Sequence, residues 1–283
     1  MDVKYKKIAA LTMLRHDDFF LRRWVDYYGA CIGRSNLYVF FDGEDQEIPD
    51  FCAGVNAVLV PRIAGNVREG DRGRIAFLND RAAELFKSYD AVIGTDVDEF
   101  LVPDPSCGLS LAEFISSYDS KGRVSISGLG IDVGQNLREE APVDESLPFI
   151  GQRRFAKIST RYSKASVLLK PARWGSGFHR VKGRNFHIAK NLYLFHFGCV
   201  DLGRIREKFS DREKINEGWQ HHLDKRAATI RLASNATPGE WDETVKRARM
   251  AQNAVRPPYA WNKPAMFELS VLVRIPERFV GIV

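Results

Sequence analysis

The stretch VIGTDVDEFLVPDP, residues 92–105, begins as an apolar run and then places three carboxylates, Asp96, Asp98 and Glu99, within four positions. A short apolar run bounded by glycine and aspartate is typical of a buried strand. Carboxylates at the end of a buried strand are unfavourable unless cations or a ligand neutralise them. The stretch therefore predicts a strand that leads into a binding site.

The composition is that of a globular protein. The chain has 283 residues, of which 45% are hydrophobic and 28% charged, which is enough to bury a sizeable core. Its four cysteines, Cys31, Cys52, Cys107 and Cys199, form no C-x-x-C pair. This spacing fits neither a zinc site nor a disulfide framework, so we expect reduced thiols in the core.

The first residues lack the apolar core and small-residue cleavage site of a secretory signal, and no stretch approaches the ~18 apolar residues of a membrane span. We therefore expect a cytoplasmic protein, with peripheral contact to the inner membrane face left open.

Charge is uneven along the chain. Residues 1–150 carry 16 Lys and Arg against 25 Asp and Glu, and residues 151–283 carry 26 against 11. This predicts a cation site in the first part and an anionic partner for the second, or simply two differently charged solvated faces.

Strands alternate with helices over the first hundred residues. Apolar runs predict strands at 8–14, 37–41, 55–60 and 91–95, and a further strand at 123–131. A helix with Phe20, Trp24, Tyr27 and Cys31 on one face follows the first strand, and SLAE (110–113) predicts a capping box. RIAGNVREGDRGR (62–74) is expected to be a loop before a second helix. The pattern predicts an α/β fold, with a mainly parallel sheet flanked by helices and ligands bound beyond the carboxyl ends of its strands.

The chain changes character after residue 150. Short β-like runs between basic and glycine-rich turns predict a smaller antiparallel β region, and helical patterns return at 202–217 and 239–254. We expect residues 1–150 and the basic residues 151–283 to be two parts of one domain, with the cation site in the first part and the anionic partner on the second.

The D-x-D motif predicts a metal site. On an extended segment Asp96 and Asp98 would point the same way and share a cation, while Val97 faces the core. Two carboxylates, with other positions left to water and phosphate oxygens, suit Mn²⁺ or Mg²⁺ that serves a nucleotide. The alternative is a solvated acidic turn.

Three segments in order, RHDDFFLRRWVDYYGACIG (15–33), YVFFDGEDQ (38–46) and DAVIGTDVDEFLVP (90–103), are similar to family 2 glycosyltransferases of the GT-A fold, in particular to a D-x-D-E-F subgroup. The resemblance covers most of residues 8–105 and, more weakly, 123 to about 210. It implies transfer of a sugar, with inversion, from a nucleotide-diphosphate donor, a UDP-sugar being favoured, to a glycan or lipid-linked acceptor of bacterial surface polysaccharide. It further implies Asp96 near the ribose, Asp98 on the metal and Asp42 near the nucleotide.

The sequence departs from that family at two places. Arg15, His16 and Asp17 replace the usual Asn-Glu after the first strand, and the common E-D pair that supplies the catalytic base is missing. A base must take a proton from the acceptor hydroxyl. Asp132 is the first candidate because it ends a predicted strand between glycines that would let substrate approach. The alternatives are Glu99, Asp144 and Glu145.

The basic part offers further candidates. His196 and His179 could supply a third metal ligand or a diphosphate contact, although a histidine in an apolar strand is often a satisfied core residue. Trp174 could stack on the sugar. Cations that could contact the donor or its leaving diphosphate, or could equally lie in solvated turns, are Lys170, Arg173, Arg72 and Arg74.

Three other functions fit the sequence less well. A nucleotidyltransferase needs a glycine-rich loop after the first strand, and TMLRHDDFF (12–20) has no glycine. An aspartyl phosphatase expects its D-x-D in an early strand, with Thr or Val where Phe100 stands. A nucleic-acid-binding module would use the basic part, but an acidic cluster repels phosphates unless metal is bound, so we expect no nucleic-acid partner.

Overall fold

The computed structural model describes residues 5–210, 220–255, 261–263 and 270–283. Its strands are β1 (Ile8–Leu14), β2 (Leu37–Asp42), β3 (Asn56–Val60), β4 (Ala91–Gly94), β5 (Glu99–Pro103), β6 (Ser125–Gly134), β7 (Phe155–Ile158), β8 (Val167–Leu168), β9 (Ile188–Cys199) and β10 (Leu272–Arg274). Its helices are α1 (Asp18–Ile32), α2 (Val67–Leu85), α3 (Leu111–Ser117), the single turn α4 (Phe149–Gln152), α5 (Leu202–Ser210), α6 (Gln220–Asn235) and α7 (Trp241–Ala254).

The strands join in one sheet with the order β10-β7-β6-β8-β4-β1-β2-β3, and β9 pairs with both β6 and β5. β1 pairs in parallel with β2 and β4, and β2 with β3. β4, β8, β6, β7 and β10 then succeed one another in antiparallel pairs. The prediction of an α/β fold with a mainly parallel sheet, flanking helices and a smaller antiparallel region is confirmed.

The central parallel strands β1 and β4 are largely apolar on both faces. Every residue of β1 and β4 is buried, as expected for a sheet covered on both sides. Helix α1 buries Trp24 and Tyr28 on the face turned to the sheet. The Trp24 indole donates to Thr95 Oγ1 at 2.9 Å, which ties α1 to the end of β4. The helix thereby holds the segment that leads into the D-x-D motif.

The expected loop at 62–74 is wrong over most of its length. Helix α2 begins at Val67, because Asn66 and Glu69 form a capping box: the Asn66 side chain accepts from the Arg68 and Glu69 amides, and Glu69 accepts from the Asn66 amide. Arg72 and Arg74 therefore lie in the helix rather than in a loop. The sequence contains the capping signal N-V-R-E, which favours a helix start, but the three neighbouring glycines favour a loop.

The second part of the chain contains more long elements than expected. β9 has twelve residues and pairs in parallel with β6, besides its antiparallel pairing with β5. Helix α6 was not predicted. The pattern expected at 202–217 corresponds to α5, and its last seven residues lie outside the described part of the chain.

None of the helices that the structure describes is long and apolar enough to span a membrane.

Candidate functional site

The carboxyl ends of the parallel strands meet at one edge of the sheet. β1 leads into Arg15, β2 ends at Asp42, and β4 leads into Asp96. Arg15 reaches from one strand end to the next, since its guanidinium donates to the Asp42 carbonyl at 2.9 Å and to both oxygens of Asp45 at 2.7 Å. This edge is where α/β sheets place their ligands.

The D-x-D motif forms a turn instead of an extended segment. The Glu99 amide donates to the Asp96 carbonyl at 3.1 Å, which closes a tight turn over the four residues. Val97 faces the core as expected, at 7% exposure. The predicted extended segment is therefore wrong, because residues 97 and 98 form the turn. Each carboxylate meets its own set of partners.

Asp96 belongs to a charged cluster that we define as Arg74, Asp96, Glu99 and Lys164. Arg74 donates to Asp96 Oδ1 at 2.6 Å, and Lys164 Nζ lies 2.7 Å from Asp96 Oδ2 and 2.6 Å from Glu99 Oε1. The Lys164 and Glu99 side chains are 4% and 1% exposed, whereas those of Arg74 and Asp96 are 22% and 28% exposed. The cluster thus runs from the interior to the surface.

Burial and charge act against each other in the cluster. Burial raises the pKa of Asp96, but Arg74 and Lys164 outweigh it and hold the pKa below the usual range of a carboxyl. Burial lowers the pKa of Lys164, but Asp96 and Glu99 outweigh it and raise the pKa. Burial raises the pKa of Glu99, and Lys164 offsets only part of that effect. Asp96 and Lys164 are therefore firmly charged.

Asp98 belongs to a second set, the His196 network, which we define as Asp98, Asp132, His196 and Thr229. His196 lies in β9 opposite Glu99 of β5 and Asp132 of β6. Its Nδ1 is 2.7 Å from Asp132 Oδ1, and its Nε2 is 3.3 Å from Asp98 Oδ2. The imidazole ring is therefore held between two carboxylates, one on each nitrogen.

Burial lowers the pKa of His196, but the charges of Asp98 and Asp132 outweigh it and raise the pKa to about 9. The Tyr162 ring stacks on the imidazole, with centroids 3.6 Å apart. His196 itself is 3% exposed. Its partners therefore decide both its charge and its orientation.

The donor atoms of Asp98 and His196 fit a divalent metal ion that displaces the proton on Nε2. Two adjacent ligands of an octahedral ion, each at about 2.1 Å from the metal, are about 3 Å apart, and the observed Nε2 to Oδ2 distance is 3.3 Å. A carboxylate on the other ring nitrogen is the usual support of a ligating histidine. Asp96 does not complete the set, because both of its oxygens face cations. In the described part of the chain no group of three or more His, Cys, Asp and Glu side chains is placed to hold a metal.

The two first candidates for the base are enclosed. Asp132 is 5% exposed, and its Oδ2 accepts from the Thr229 hydroxyl at 2.7 Å while its Oδ1 faces His196. Glu99 is fully buried beside Lys164. The glycines around Asp132 do not open a path for substrate either: a Cβ on Gly130 would overlap the Ser159 backbone, and one on Gly134 would meet Thr229 at 3.0 Å. The two glycines instead make room for the Ser159 backbone and for Thr229.

Asp144 and Glu145, the other candidates, lie on the loop after β6. Asp144 accepts from the Ser146 amide and hydroxyl at 2.8 and 2.7 Å, which holds the pKa of its carboxyl below the usual range. Glu145 is paired with Arg204 and lines a cleft of about 490 Å³ at the first turn of α1. None of the residues lining this cleft belongs to the charged cluster or to the His196 network.

Asp42 has partners within its own edge of the sheet. Its Oδ1 accepts from the Ile63 amide at 2.7 Å, and its Oδ2 pairs with Arg62. The carboxylate therefore fixes the loop that follows β3.

Three predicted cations lie away from the acidic turn. Lys170 follows β8, which runs antiparallel to β4, so it is exposed at the amino end of β4 and not at the edge that carries Asp96. Arg173 is 53% exposed and pairs with Asp80 at 3.0 Å. Arg72 is exposed on α2. Of the four cations proposed from the sequence, Arg74 is the one that contacts the motif.

Trp174 is not exposed for stacking on a sugar. It is 0% exposed, its indole donates to the Ala165 carbonyl at 2.7 Å, and it packs over Gly94, where a Cβ would come within 2.9 Å of its ring. His179 is half-buried in the next turn. Burial, reinforced by the charge of Lys164, lowers the pKa of His179 to about 3, so it is neutral at physiological pH.

Sequence reasoning missed Lys164, Tyr162 and Thr229. Lys164 is one of 42 lysines and arginines in the chain, and no local pattern marks it as buried. Thr229 lies on the unpredicted helix α6, which packs against β6 and β9. Their roles depend on contacts between residues distant in the chain, which periodicity does not report.

The sequence matches no known family profile and no curated protein. Among solved structures, the chain is similar over 46% of its length to 37% of the mannosyltransferase PcManGT from Pyrobaculum calidifontis, solved with GDP-Man and Mn²⁺, at 14% identity and a TM-score of 0.33. It is similar over 95% of its length to 74% of the mannose-1-phosphate geranyltransferase from Thermus thermophilus, at 10% identity and a TM-score of 0.29. The chain thus spans little more than a third of the first of these proteins.

Proposed function

We propose that this protein is a metal-dependent glycosyltransferase that uses a nucleotide-sugar donor. The observation that carries the proposal is the pair of donor atoms Asp98 Oδ2 and His196 Nε2, 3.3 Å apart beside the carboxyl edge of the sheet. The adjacent cluster supplies two fixed cations, Arg74 and Lys164. Metal ligands beside fixed cations are suited to a diphosphate, which carries several negative charges.

In this proposal Asp98 and His196 hold Mn²⁺ or Mg²⁺. The bound ion would offset the negative charge that develops on the leaving nucleoside diphosphate. Two protein ligands are enough for this task, because such ions keep water and substrate phosphate oxygens in their remaining positions. Asp132 supports the metal site by holding the ring of His196.

The two cations of the cluster have different tasks. Arg74 has the more exposed side chain and can turn part of its guanidinium to the diphosphate. Lys164 is enclosed and holds Asp96 and Glu99 in place. Since Arg74 is already charged and paired with Asp96, it would stabilise the leaving group without first being ordered.

The nucleotide is proposed to lie over the ends of β1 and β2. Arg15 and Asp42 are two of the polar groups at these ends. The sequence resemblance puts the ribose near Asp96 and the nucleotide near Asp42. Asp42 would act here by fixing Arg62 and the Ile63 backbone beside the nucleotide.

The finer assignments of substrate and stereochemistry rest on the sequence resemblance. They are a UDP-sugar donor, a glycan or lipid-linked acceptor, and inversion at the anomeric carbon. Because Asp132 and Glu99 are enclosed by their own partners, we propose structural roles for both and keep Asp144 and Glu145 as candidates for the base.

The test is the release of UDP or GDP from a panel of UDP- and GDP-sugars, GDP-mannose included, in Mn²⁺ and in EDTA. We expect release from one donor class in Mn²⁺ and loss of release in EDTA. Arg74→Gln should slow release at least about tenfold, the size of effect typical for a group that stabilises a transition state. Arg173→Gln, an exposed arginine paired with Asp80, is the matched control and should leave release unchanged. Release that persists in EDTA would contradict the proposal.

A further inference from the structure

We propose that Asp132 and Thr229 are positioning residues for the metal ligand His196, and that helix α6 thereby becomes part of the metal site. The inference rests on the proposed function, because it assigns the support of a ligand that the proposal names. It converts Asp132 from a candidate base into a residue that acts through another side chain.

The pairing of β6 with β9 brings Asp132 and His196 together. His196 of β9 lies opposite Asp132 of the parallel neighbour β6, so both side chains are on the same face of the sheet. The Nδ1 to Oδ1 distance of 2.7 Å is that of a strong hydrogen bond with a charged partner. Asp132 therefore accepts the hydrogen bond from Nδ1, and Nε2 is the atom that faces Asp98.

The orientation of Asp132 itself depends on a second hydrogen bond. A carboxylate that bonds an imidazole through one oxygen could still rotate about its own axis. The Thr229 hydroxyl donates to Asp132 Oδ2 at 2.7 Å, which fixes this rotation. Cys199 adds a weaker contact from its Sγ to Oδ1 at 3.8 Å.

The surroundings of His196 leave no room for another arrangement of its imidazole ring. Asp132 and Thr229 are 5% and 4% exposed, so water does not compete for their hydrogen bonds. Tyr162 covers one face of the imidazole at 3.6 Å. A flip of the ring would put Cδ2 in the place of Nδ1 and lose the bond to Asp132 inside the protein, where an unpaired carboxylate is strongly unfavourable.

The consequence is a link between two distant parts of the chain. Thr229 comes from α6, which packs on β6, β7 and β9. Its hydroxyl begins a chain of two hydrogen bonds that runs from α6 through Asp132 to His196. Docking of α6 would therefore be needed for a fully oriented metal ligand.

The experiment measures Mn²⁺ affinity by electron paramagnetic resonance and calorimetry, in the absence of donor. Asp132→Asn keeps the shape of the side chain but removes its charge, and we expect it to weaken Mn²⁺ binding about 10- to 100-fold, the range found for supports of metal ligands. Thr229→Val should weaken binding in the same direction by less, and Thr229→Ser, which keeps the hydroxyl, should restore wild-type affinity. Arg231→Gln is the matched control, since Arg231 lies exposed on the same helix.

Two results would overturn the inference in distinguishable ways. If wild-type protein binds Mn²⁺ and both Asp132→Asn and Thr229→Val bind it within twofold of wild type, the positioning role is wrong and the metal site stands. If wild-type protein does not bind Mn²⁺, the metal site of the proposed function is wrong and the positioning role falls with it. Circular dichroism checks that each variant is folded. If Asp132→Asn does not fold, Thr229→Val still provides the test.

Discussion

At the residue scale, the two aspartates of the D-x-D motif differ in their partners. Asp96 is held by Arg74 and Lys164, whereas Asp98 faces the imidazole of His196. A carboxylate between two cations is a poor metal ligand because its oxygens are already occupied, while one beside a histidine nitrogen offers the start of a ligand set. The motif predicted a metal site, but which aspartate serves it depends on partners that lie elsewhere in the chain, on α2, before β8 and in β9.

Removal of the Lys164 charge is expected to cost much of the stability of the protein. Lys164→Met would leave Glu99, which is fully buried, without its cation. Breaking a buried ion pair from one side costs about 3–5 kcal/mol. Urea denaturation checks this, with Lys170→Met as the matched control, because Lys170 is exposed and a change there should stay within about 0.5 kcal/mol. Equal midpoints for the two variants would contradict the assigned role of Lys164.

The neutral state of His179 predicts a loss of stability in acid. Burial and Lys164 lower its pKa to about 3 in the folded protein, while the unfolded chain takes up a proton near the ordinary value of about 6.5. The unfolded state then binds more protons below pH 6.5, so stability falls as the pH falls. Relative to His179→Gln, wild-type protein should lose about 2 kcal/mol of unfolding free energy between pH 7.5 and pH 5. Urea titrations at both pH values give this difference, and parallel pH dependence in the two proteins would show that His179 is accessible to protons.

At the element scale, the strands could be predicted and their far partners could not. The apolar runs gave β1 at its observed bounds and β2, β3 and β4 within one residue at either end. Apolar alternation and turn residues act locally, so the sequence reports them directly. The pairing of β9 with both β5 and β6 places His196 opposite Glu99 and Asp132. This register depends on the packing of the whole sheet, and no local pattern contains it.

The sequence also does not show what fills the space beside a glycine. The sequence S-G-L-G-I suggested space for a substrate beside Asp132, but the space at Gly130 is filled by the backbone of residues 159–163. The Gly130 amide donates to Ser163 Oγ at 2.9 Å. This close approach lets the segment with Tyr162 and Lys164 reach the candidate site.

A methyl group at Gly130 should therefore disrupt both the fold and the candidate site. A Cβ there would overlap the Ser159 and Tyr162 backbone and come within 2.5 Å of the Ser163 nitrogen. We expect Gly130→Ala to lower the free energy of unfolding by about 2 kcal/mol or more. Gly70→Ala on α2, where a Cβ meets nothing within 4 Å, should instead stabilise by about 0.5–1 kcal/mol. Thermal unfolding of the pair checks this, and a neutral Gly130→Ala would show that the backbone of 159–163 can move away.

At the scale of the whole molecule, the uneven charge along the sequence is partly matched inside the protein. The acidic first part and the basic second part meet in buried or half-buried pairs, among them Asp96 with Lys164 and Asp104 with Arg278. Part of the positive surplus therefore balances carboxylates of the first part instead of marking a surface for an anionic partner. The sequence alone could not separate these two uses, because both give the same count of charges.

The central claim is that Asp98, with His196, holds a metal ion that binds a nucleotide diphosphate at the carboxyl edge of the sheet. The most direct measurement is calorimetric titration of UDP and GDP into the protein, in Mn²⁺ and in EDTA. The variants are Asp98→Asn and, as matched control, Asp90→Asn, since Asp90 precedes β4 at its opposite end and bonds the Lys7 amide. We expect one nucleotide to bind in Mn²⁺ to wild-type protein and to Asp90→Asn, and to lose at least about tenfold in affinity in EDTA or in Asp98→Asn, as found when support of a metal is lost. Nucleotide binding of equal strength in Mn²⁺, in EDTA and in Asp98→Asn would contradict the claim.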